Sequence, residues 1–198
     1  MGKTELFSYC KNGKWGLVDK DKNIIVPLVF EEEIFFYDDY AAAKLDGKYG
    51  FIDRNGNTII AYMYDNAGLF QCNVGDVCLD GKWGCVDKFG KLVIPCEHLL
   101  PLSFNSPDEV VAVNKGGDWN HVEGEILGGK WGLINTKGEL VKPYQYDEIF
   151  NVPNSYIQVK INKKYGLFDL KGNEILACEF SKTHIDSLVE NSVCLQNN

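Results

Sequence analysis

The sequence predicts an all-β protein, an array of about five three-stranded antiparallel β-hairpin repeats of 34 residues in an open, solenoid-like stack. The first observation is a Gly-Lys-Trp/Tyr-Gly motif that recurs along the chain, the last copy having lysine for the first glycine. The second is a short β-rich run after each aromatic, ending at an acid or amide. The third is alternation of apolar residues before it, typical of a half-buried strand. The motif aromatics are Trp15, Tyr49, Trp83, Trp131 and Tyr165.

The spacing of the motif sets the period. Tyr49 follows Trp15 by 34 residues, and only the step from Trp83 to Trp131 is longer, at 48 residues, which indicates an insertion of 14. The whole chain, 1–198, is therefore interpreted as a single repeat domain. The repeats are placed at 5–38, 39–72, 73–107, 108–154 with the insertion at 116–127, and 155–190, followed by a truncated cap strand at 191–198.

The first strand of each repeat lies before the aromatic, as Phe7, Tyr9 and Lys11 show by their alternation. The C-terminal segment 192–198 fits the same register and is predicted to be a strand of a sixth copy. The first strand would then occur six times and the other two five times, which favours an open stack over a ring. A five-bladed, propeller-like ring is the alternative.

The second and third strands are joined by a turn of the form Asp-x-x-Gly, in which the carboxylate caps the turn and glycine takes a positive φ. The first copy has Lys22 where glycine is expected, so a differently built turn is predicted there. The third strand is predicted to stop at proline, which cannot donate to a sheet ladder. These prolines are Pro27, Pro95 and Pro143, and the capping residues are Asp19, Asp53, Asp87, Asn135 and Asp169.

A helical repeat is the competing interpretation, because 34 residues is also the tetratricopeptide length. Glycines inside every copy, and the absence of sustained apolar spacing of three and four, favour strands. Short helical turns remain open at 30–40 and 183–190.

The charge balance limits the partners. There are 20 Lys and Arg against 28 Asp and Glu, a net charge of −8, which disfavours nucleic acid and anionic membranes. Seven cysteines without a C-x-x-C pair are typical of reduced thiols, so a cytoplasmic protein is expected, as a monomer or weak dimer.

The motif, together with the apolar pair, acid, glycine turn and proline that follow it, resembles the WG-repeat family of bacteria, also called KWG repeats. A further match is the aromatic and acid at the end of a repeat, as in Tyr146-Asp147. The resemblance covers nearly the whole chain from about residue 5. It implies β-rich repeats with a binding character, and an immunity-type role beside bacterial toxins as one option. The third copy loses the aromatic-acid end after its proline.

The repeated residues are interpreted as structural. A recurring aromatic flanked by glycine is expected to pack between repeats, and one capping acid per repeat is expected to stay apart from the next. No nucleophile motif or phosphate loop is present, so no enzyme activity, metal or cofactor is expected.

Two segments are predicted to bind a partner. The insertion should project as a hairpin or flap. His121, Glu123 and Glu125 are predicted to share one strand face, and the hypothesis of a metal or acid–base site rests on this placement. The segment 30–40 combines acids and aromatics, a composition that suits docking to a basic protein. The candidate residues are Trp119, His121, Glu123 and Glu125, with Glu31, Glu32, Phe35, Phe36, Tyr37, Asp38 and Asp39.

These features predict a non-catalytic protein-binding scaffold with an acidic, aromatic-bearing surface. The narrower hypothesis is an immunity-type protein that neutralises a basic bacterial toxin. A carbohydrate or cell-envelope binding module is the alternative. A metal-dependent hydrolase centred on the insertion is the third hypothesis.

Overall fold

The computed structural model describes the backbone of residues 5–152 and 156–196, and the side chains of residues 5–150 and 156–189. The chain divides into two compact units, residues 1–105 and 106–198. Every strand pair is antiparallel, and the five sheets follow the five motif copies in order. The predicted all-β array of repeat sheets is therefore confirmed.

The first unit contains three sheets. Two have three strands in the order of the chain, and the third has four, with the order β10-β9-β8-β7. The strands are β1 (Phe7–Lys11), β2 (Lys14–Val18) and β3 (Ile24–Phe30); β4 (Tyr40–Leu45), β5 (Lys48–Asp53) and β6 (Thr58–Tyr64); and β7 (Asn66–Gln71), β8 (Val74–Leu79), β9 (Lys82–Asp87) and β10 (Leu92–His98).

The second unit contains two sheets and a C-terminal helix. One sheet has the order β11-β12-β13 and the other β14-β15-β16-β17. The elements are β11 (Val110–Asn120), β12 (Glu125–Asn135) and β13 (Leu140–Tyr146); β14 (Glu148–Val152), β15 (Tyr156–Ile161), β16 (Lys164–Phe168) and β17 (Glu174–Phe180); and α1 (Lys182–Gln196).

Two sheets gain a fourth strand that the three-stranded prediction lacked. Strand β7 pairs with β8 and strand β14 with β15, so the segment leading into a repeat doubles back along its first strand. In the second repeat the same segment makes only an isolated bridge between Tyr37 and Tyr40.

A two-residue turn joins the first and second strands, and it explains the first glycine of the motif. Asp46 and Gly47 both have positive φ, 51° and 76°, as a type I′ turn requires. The pairs Asn12-Gly13 and Asp80-Gly81 repeat this geometry, and Asn162-Lys163 reproduces it without glycine.

The second glycine of the motif lies against a bulge that contains the proline. A Cβ at Gly84 would stand 2.4 Å from the carbonyl oxygen of Ile94, and the corresponding glycines of the other four sheets meet backbone at 2.4–2.7 Å. The ladder of β9 with β10 shifts register between Ile94 and His98, and Pro95 lies inside this interval. The prediction that strands stop at proline is wrong, because each proline sits at a bulge of an edge strand, where no donor is needed.

The Asp-x-x-Gly turn forms as predicted. The Asp19 carboxylate accepts hydrogen bonds from the backbone N–H groups of Asp21 and Asn23 and from the Asn23 side chain, at 2.8–2.9 Å. The side-chain bond to Asn23 is the largest cause of the lowered pKa of Asp19. The prediction of a different turn at Lys22 is wrong. Lys22 takes a φ of 65° and donates to the Asp19 carbonyl at 3.0 Å, as Gly56 does to Asp53.

Within each unit, the described cores lie between consecutive sheets, as expected of repeats that bury their apolar faces against neighbours. Strand β4 shows this by alternation: Ala41 and Ala43 pack into the core between the first and second sheets, and Tyr40 and Ala42 against the core between the second and third. A third core, with Leu133 and Val159 among its members, joins the two sheets of the second unit.

The motif aromatics are half-buried beside these cores, and Trp15, Tyr49 and Trp131 pack directly against them, which confirms their structural interpretation. Each pairs with the last residue of the third strand, which is aromatic in four repeats. In the third repeat this partner of Trp83 is His98. His98 is buried, neither imidazole nitrogen has a hydrogen-bond partner among the described residues, and burial lowers its pKa.

The acid after the terminal aromatic links neighbouring repeats. Asp65 accepts a hydrogen bond from the motif lysine of its own repeat, Lys48, at 2.5 Å, and from the backbone N–H of Asp80 in the next repeat, at 2.8 Å. Asp147 does the same in the second unit with Lys130 and the N–H of Asn162. The motif lysine therefore holds the acid that caps the next hairpin turn.

The predicted cap strand at 191–198 is wrong as far as residue 196, because α1 continues through these residues. Residues 197 and 198 lie outside the described part of the chain. The helical turn left open at 183–190 is present as part of the same helix.

Candidate functional site

A surface groove opens between the second and third sheets of the first unit. It has a volume of about 340 Å³, within the usual range for small binding sites. Its lining comes from Glu32, Glu33, Phe35 and Tyr37 of the 31–39 segment, from Tyr40, Ala42 and Lys44 of β4, from Tyr49 of β5, and from Asn66–Phe70 of β7. The structure therefore brings three of the predicted partner-binding residues, Glu32, Phe35 and Tyr37, to one groove, together with Glu33, which was not predicted.

The first acids of the segment are held by the repeat framework. Glu32 accepts hydrogen bonds from the Tyr49 hydroxyl at 2.6 Å and from Lys44 at 2.9 Å, and these bonds, in that order, lower the pKa of its carboxyl. Burial, followed by the bond to Glu32, raises the pKa of Tyr49. Glu31 accepts a bond from the backbone N–H of Gly47 at 3.2 Å.

This arrangement recurs in the second unit, which indicates a structural role. Lys160 donates to Glu148 at 2.6 Å and its ammonium lies 5.9 Å from the ring centre of Tyr165. The corresponding distance from Lys44 to the Tyr49 ring is 5.2 Å. Glu32 is therefore interpreted as a structural residue that holds Lys44 and Tyr49, two other residues of the groove lining.

The three aromatic residues of the segment differ in exposure. Phe36 packs against the first core, with the Arg54 guanidinium 5.0 Å from its ring centre. Phe35 and Tyr37 line the groove and are 69% and 48% exposed. These two rings offer apolar surface that no part of the described chain covers fully.

Asp38 and Asp39 lie at the far end, in a smaller depression that shares Tyr40 and Phe70 with the groove. Arg54 donates two hydrogen bonds to the backbone carbonyl of Asp38, at 2.7 and 3.1 Å, and lies 3.7 Å from the Asp39 carboxylate. Within the described residues, the carboxylates of Glu33 and Asp38 form no hydrogen bond or ion pair. These two acids are available to a partner.

Strand β7 forms one wall of the groove. It is the last strand of its sheet, and its ladder with β8 skips Gly68 and Leu69, which stand as two residues opposite Asp76. The Leu69 side chain is 48% exposed at the groove. The sequence analysis missed this wall, because residues 66–71 contain glycine and lack a strong β pattern.

Asp76 lies directly behind the wall. It is buried, its carboxylate accepts a hydrogen bond from the Cys85 thiol at 3.2 Å, and burial raises its pKa to about 7. A Cβ at Gly68 would stand 3.1 Å from the Cβ of Asp76. The same ladder position holds Ser8, Ala42, Ala112 and Gln158 in the other four sheets. Aligning the copies could therefore have revealed Asp76 as the ionisable residue among neutral ones.

The insertion forms the end of a long hairpin, as predicted. The β11–β12 ladder runs from the Val110–Asn135 pair to the Asn120–Glu125 pair, and residues 121–124 form the turn. Trp119 is half-buried opposite Ile126, and Val122 at the tip is 93% exposed.

The predicted common strand face of the insertion's polar residues is wrong. His121 and Glu123 lie in the turn, and only Glu125 lies on a strand, because the ladder ends at Asn120. The side-chain amide of Asn120 donates to Glu123 at 2.9 Å. All three predicted residues are exposed.

Across residues whose side chains are described, no group of three or more His, Cys, Asp or Glu is arranged to hold a metal ion. No helix in the described part of the chain is long and apolar enough to span a membrane.

Comparison with solved structures finds weak overall similarity. The structure of Hsv2p from Kluyveromyces lactis matches with a TM-score of 0.48 and 12% identity, covering 85% of this chain and 59% of that one. A variant, KlHsv2 with loop 6CD replaced by a Gly-Ser linker, matches with a TM-score of 0.49 and 15% identity, covering 91% and 64%. The chain thus spans about three fifths of the length of these proteins.

Comparison with curated proteins finds no match. A family profile described as "WG containing repeat" matches residues 15–49, 49–83, 83–97 and 131–165, which together make up more than half of the chain. These matches coincide with the hairpins whose glycines, lysine and acid have the structural roles described above. The chain belongs to the WG-containing repeat family.

Proposed function

We propose that this protein is a non-catalytic protein-binding scaffold, and that the groove is its main partner-binding surface. The observation that carries the proposal is the juxtaposition, in one groove, of the exposed Phe35 and Tyr37 rings with the Glu33 carboxylate, which has no partner among the described residues. Aromatic anchors in a pocket supply most of the energy of typical protein interfaces, and surrounding charges set the association rate and specificity.

The partner is proposed to be a basic protein. The chain has a net charge of −8, and the 31–39 segment contributes five acids and no base. An immunity-type protein that neutralises a basic bacterial toxin in the cytoplasm is the narrower form of the proposal. The exposed hairpin tip, with Trp119, His121, Glu123 and Glu125, is proposed as a second contact surface.

The test is affinity capture from the native organism, with wild-type protein and two variants as bait. Phe35→Ala removes an anchor from the groove, and Phe89→Ala removes an 81% exposed aromatic that does not line it. We expect a basic partner that Phe35→Ala loses and Phe89→Ala retains, and that dissociates between about 50 and 500 mM salt because surface charges are screened. Equal capture by both variants contradicts the assignment of the groove.

A deletion of residues 116–127 tests the hairpin. The deletion should change the melting temperature little, because residues 116–127 do not belong to the described core of the second unit. It should abolish any capture that depends on the tip. A large loss of stability would assign the insertion a structural role.

A carbohydrate-binding module is the second candidate, favoured by the half-buried Trp119 on a projecting hairpin. Aromatic faces stack on sugar rings, so titration with oligosaccharides should quench tryptophan fluorescence in the wild type and not in Trp119→Phe. An unchanged spectrum at millimolar sugar contradicts this candidate.

A further inference from the structure

We propose that the groove binds an extended segment of the partner, laid along strand β7, which presents an arginine or lysine side chain next to an apolar one. This inference rests on the proposed function, because it specifies the chemistry of the partner at the same surface.

The geometry of β7 points to an extended ligand. Residues Asn66–Phe70 line the groove and belong to a strand with no neighbour on one side in its sheet. An edge strand offers main-chain donors and acceptors to an added strand, the mode called β-augmentation. The six residues of β7 extend at most about 20 Å, and the bulge at Gly68 and Leu69 divides them into two short pairing stretches. This length is enough to hold about four to six residues of a partner along the groove.

The charge of the opposite wall points to a cation. Five carboxylates lie between residues 31 and 39. Lys44 forms an ion pair with Glu32, and Arg54 lies 3.7 Å from the Asp39 carboxylate. Glu33 lines the groove and Asp38 lies at its end, and both carboxylates are unpaired within the described residues. A basic side chain in the groove would therefore find a carboxylate without displacing an existing partner.

The apolar surface provides the second element of recognition. Phe35 and Leu69 come from the two walls of the groove, and each exposes about half of its side chain or more. The protein already places cations over rings beside acids, as Lys44 lies over Tyr49 and next to Glu32. A partner arginine over the Phe35 or Tyr37 ring, with its charge near Glu33, would repeat this arrangement.

The experiment uses a fluorescein-labelled heptapeptide, Ser-Arg-Val-Arg-Leu-Arg-Ser, and its charge-reversed counterpart, Ser-Glu-Val-Glu-Leu-Glu-Ser. Fluorescence polarisation is measured with the full chain at low salt. We expect micromolar binding of the basic peptide and at least a tenfold preference over the acidic one. A scrambled basic peptide with proline at its centre should bind more weakly, because proline removes a main-chain donor from an added strand.

The variants locate the binding. Glu33→Gln and Phe35→Ala should each weaken the binding of the basic peptide about fivefold or more. The control variants are Glu97→Gln and Phe89→Ala, which change an exposed acid and an exposed aromatic elsewhere in the same unit. Their dissociation constants for the basic peptide should stay within twofold of the wild-type value. Circular dichroism confirms that each variant is folded.

Three results overturn the inference: no binding up to about 1 mM, equal binding of both peptides, or equal loss in groove and control variants. These failures differ from failure of the proposed function. If neither peptide binds but a partner is captured through the hairpin tip, the proposal of a protein-binding scaffold stands. Only the proposal of an extended basic segment in the groove is then overturned.

Discussion

The structural roles of the two motif glycines can be distinguished by a matched pair of substitutions in the third repeat. Gly81 has a φ of 72° and open space where a Cβ would stand, with no heavy atom within 4 Å. Gly84 lies against the bulge of β10, and a Cβ there would stand 2.4 Å from the Ile94 oxygen and 2.7 Å from the Cys96 nitrogen. Alanine at the two positions therefore tests backbone conformation and close packing independently.

The two costs differ in origin and size. At Gly81, alanine in the left-handed region costs about 1–2 kcal/mol, partly offset by a stiffer unfolded chain, so a net loss of about 1 kcal/mol is expected. At Gly84, strands β9 and β10 must separate by several tenths of an ångström. Overpacking of this kind costs about 1–3 kcal/mol, and weakening a buried backbone hydrogen bond adds about 1–3 kcal/mol. The expected loss is at least about 3 kcal/mol.

Urea unfolding, monitored by circular dichroism, measures the loss in the free energy of unfolding for both variants. With a slope of about 2 kcal/mol per molar urea, the midpoint should fall by about 0.5 M for Gly81→Ala and by about 1.5 M or more for Gly84→Ala. Equal losses, or a larger loss for Gly81→Ala, would refute the explanation of the second glycine by close approach to the bulge.

Three further substitutions change stability in defined directions. Lys22→Gly should raise the free energy of unfolding by about 1 kcal/mol, since the 65° φ suits glycine; a decrease in the urea midpoint would contradict this. Asp76 has a folded pKa of about 7, above its unfolded value, so its contribution is complete below about pH 4 and is lost as the pH rises through 7. Asp76→Ala should therefore be more stable than the wild type at pH 8, and persistence of the wild-type pH slope between 4 and 7 would exclude Asp76 as its source. The pKa of His98 is lowered, so stability falls as the pH drops below its unfolded value of about 6.5; His98→Phe should abolish this fall and gain about 1–3 kcal/mol at neutral pH, measured by thermal unfolding at pH 7.5 and 5.5.

The repeat sheets could be predicted because each motif residue has a local task. The turn before the aromatic, the Asp-x-x-Gly turn and the alternation of the first strand are set by neighbours only a few residues away, so the pattern in the sequence reports them directly. The features that were missed depend on contacts across strands. Pro95 is tolerated inside β10 because its strand is an edge and bulges there, which no local pattern reveals.

The C-terminal strand was predicted from the seven residues 192–198, too few to distinguish a period of two from a helical turn. The candidate site was found in part. The acids and aromatics of 31–39 stood out by composition, but the opposite wall, β7, has an ordinary composition and becomes recognisable only from its pairing with β8. Composition also could not show that Lys44 and Tyr49 bind Glu32, while Glu33 has no partner in the described part of the chain.

Asp65 accepts hydrogen bonds from Lys48 of its own repeat and from the turn at Asp80 of the next repeat, and this contact bears on how repeats are added during evolution. The residues that form the contact between one repeat and the next all lie within one 34-residue period. A tandem duplication of one period therefore supplies the residues for this contact at both of its ends. A copy of residues 49–82 inserted after itself should extend the first unit by one sheet without any compensating mutation, and gene-level slippage would be enough to lengthen or shorten the molecule during evolution.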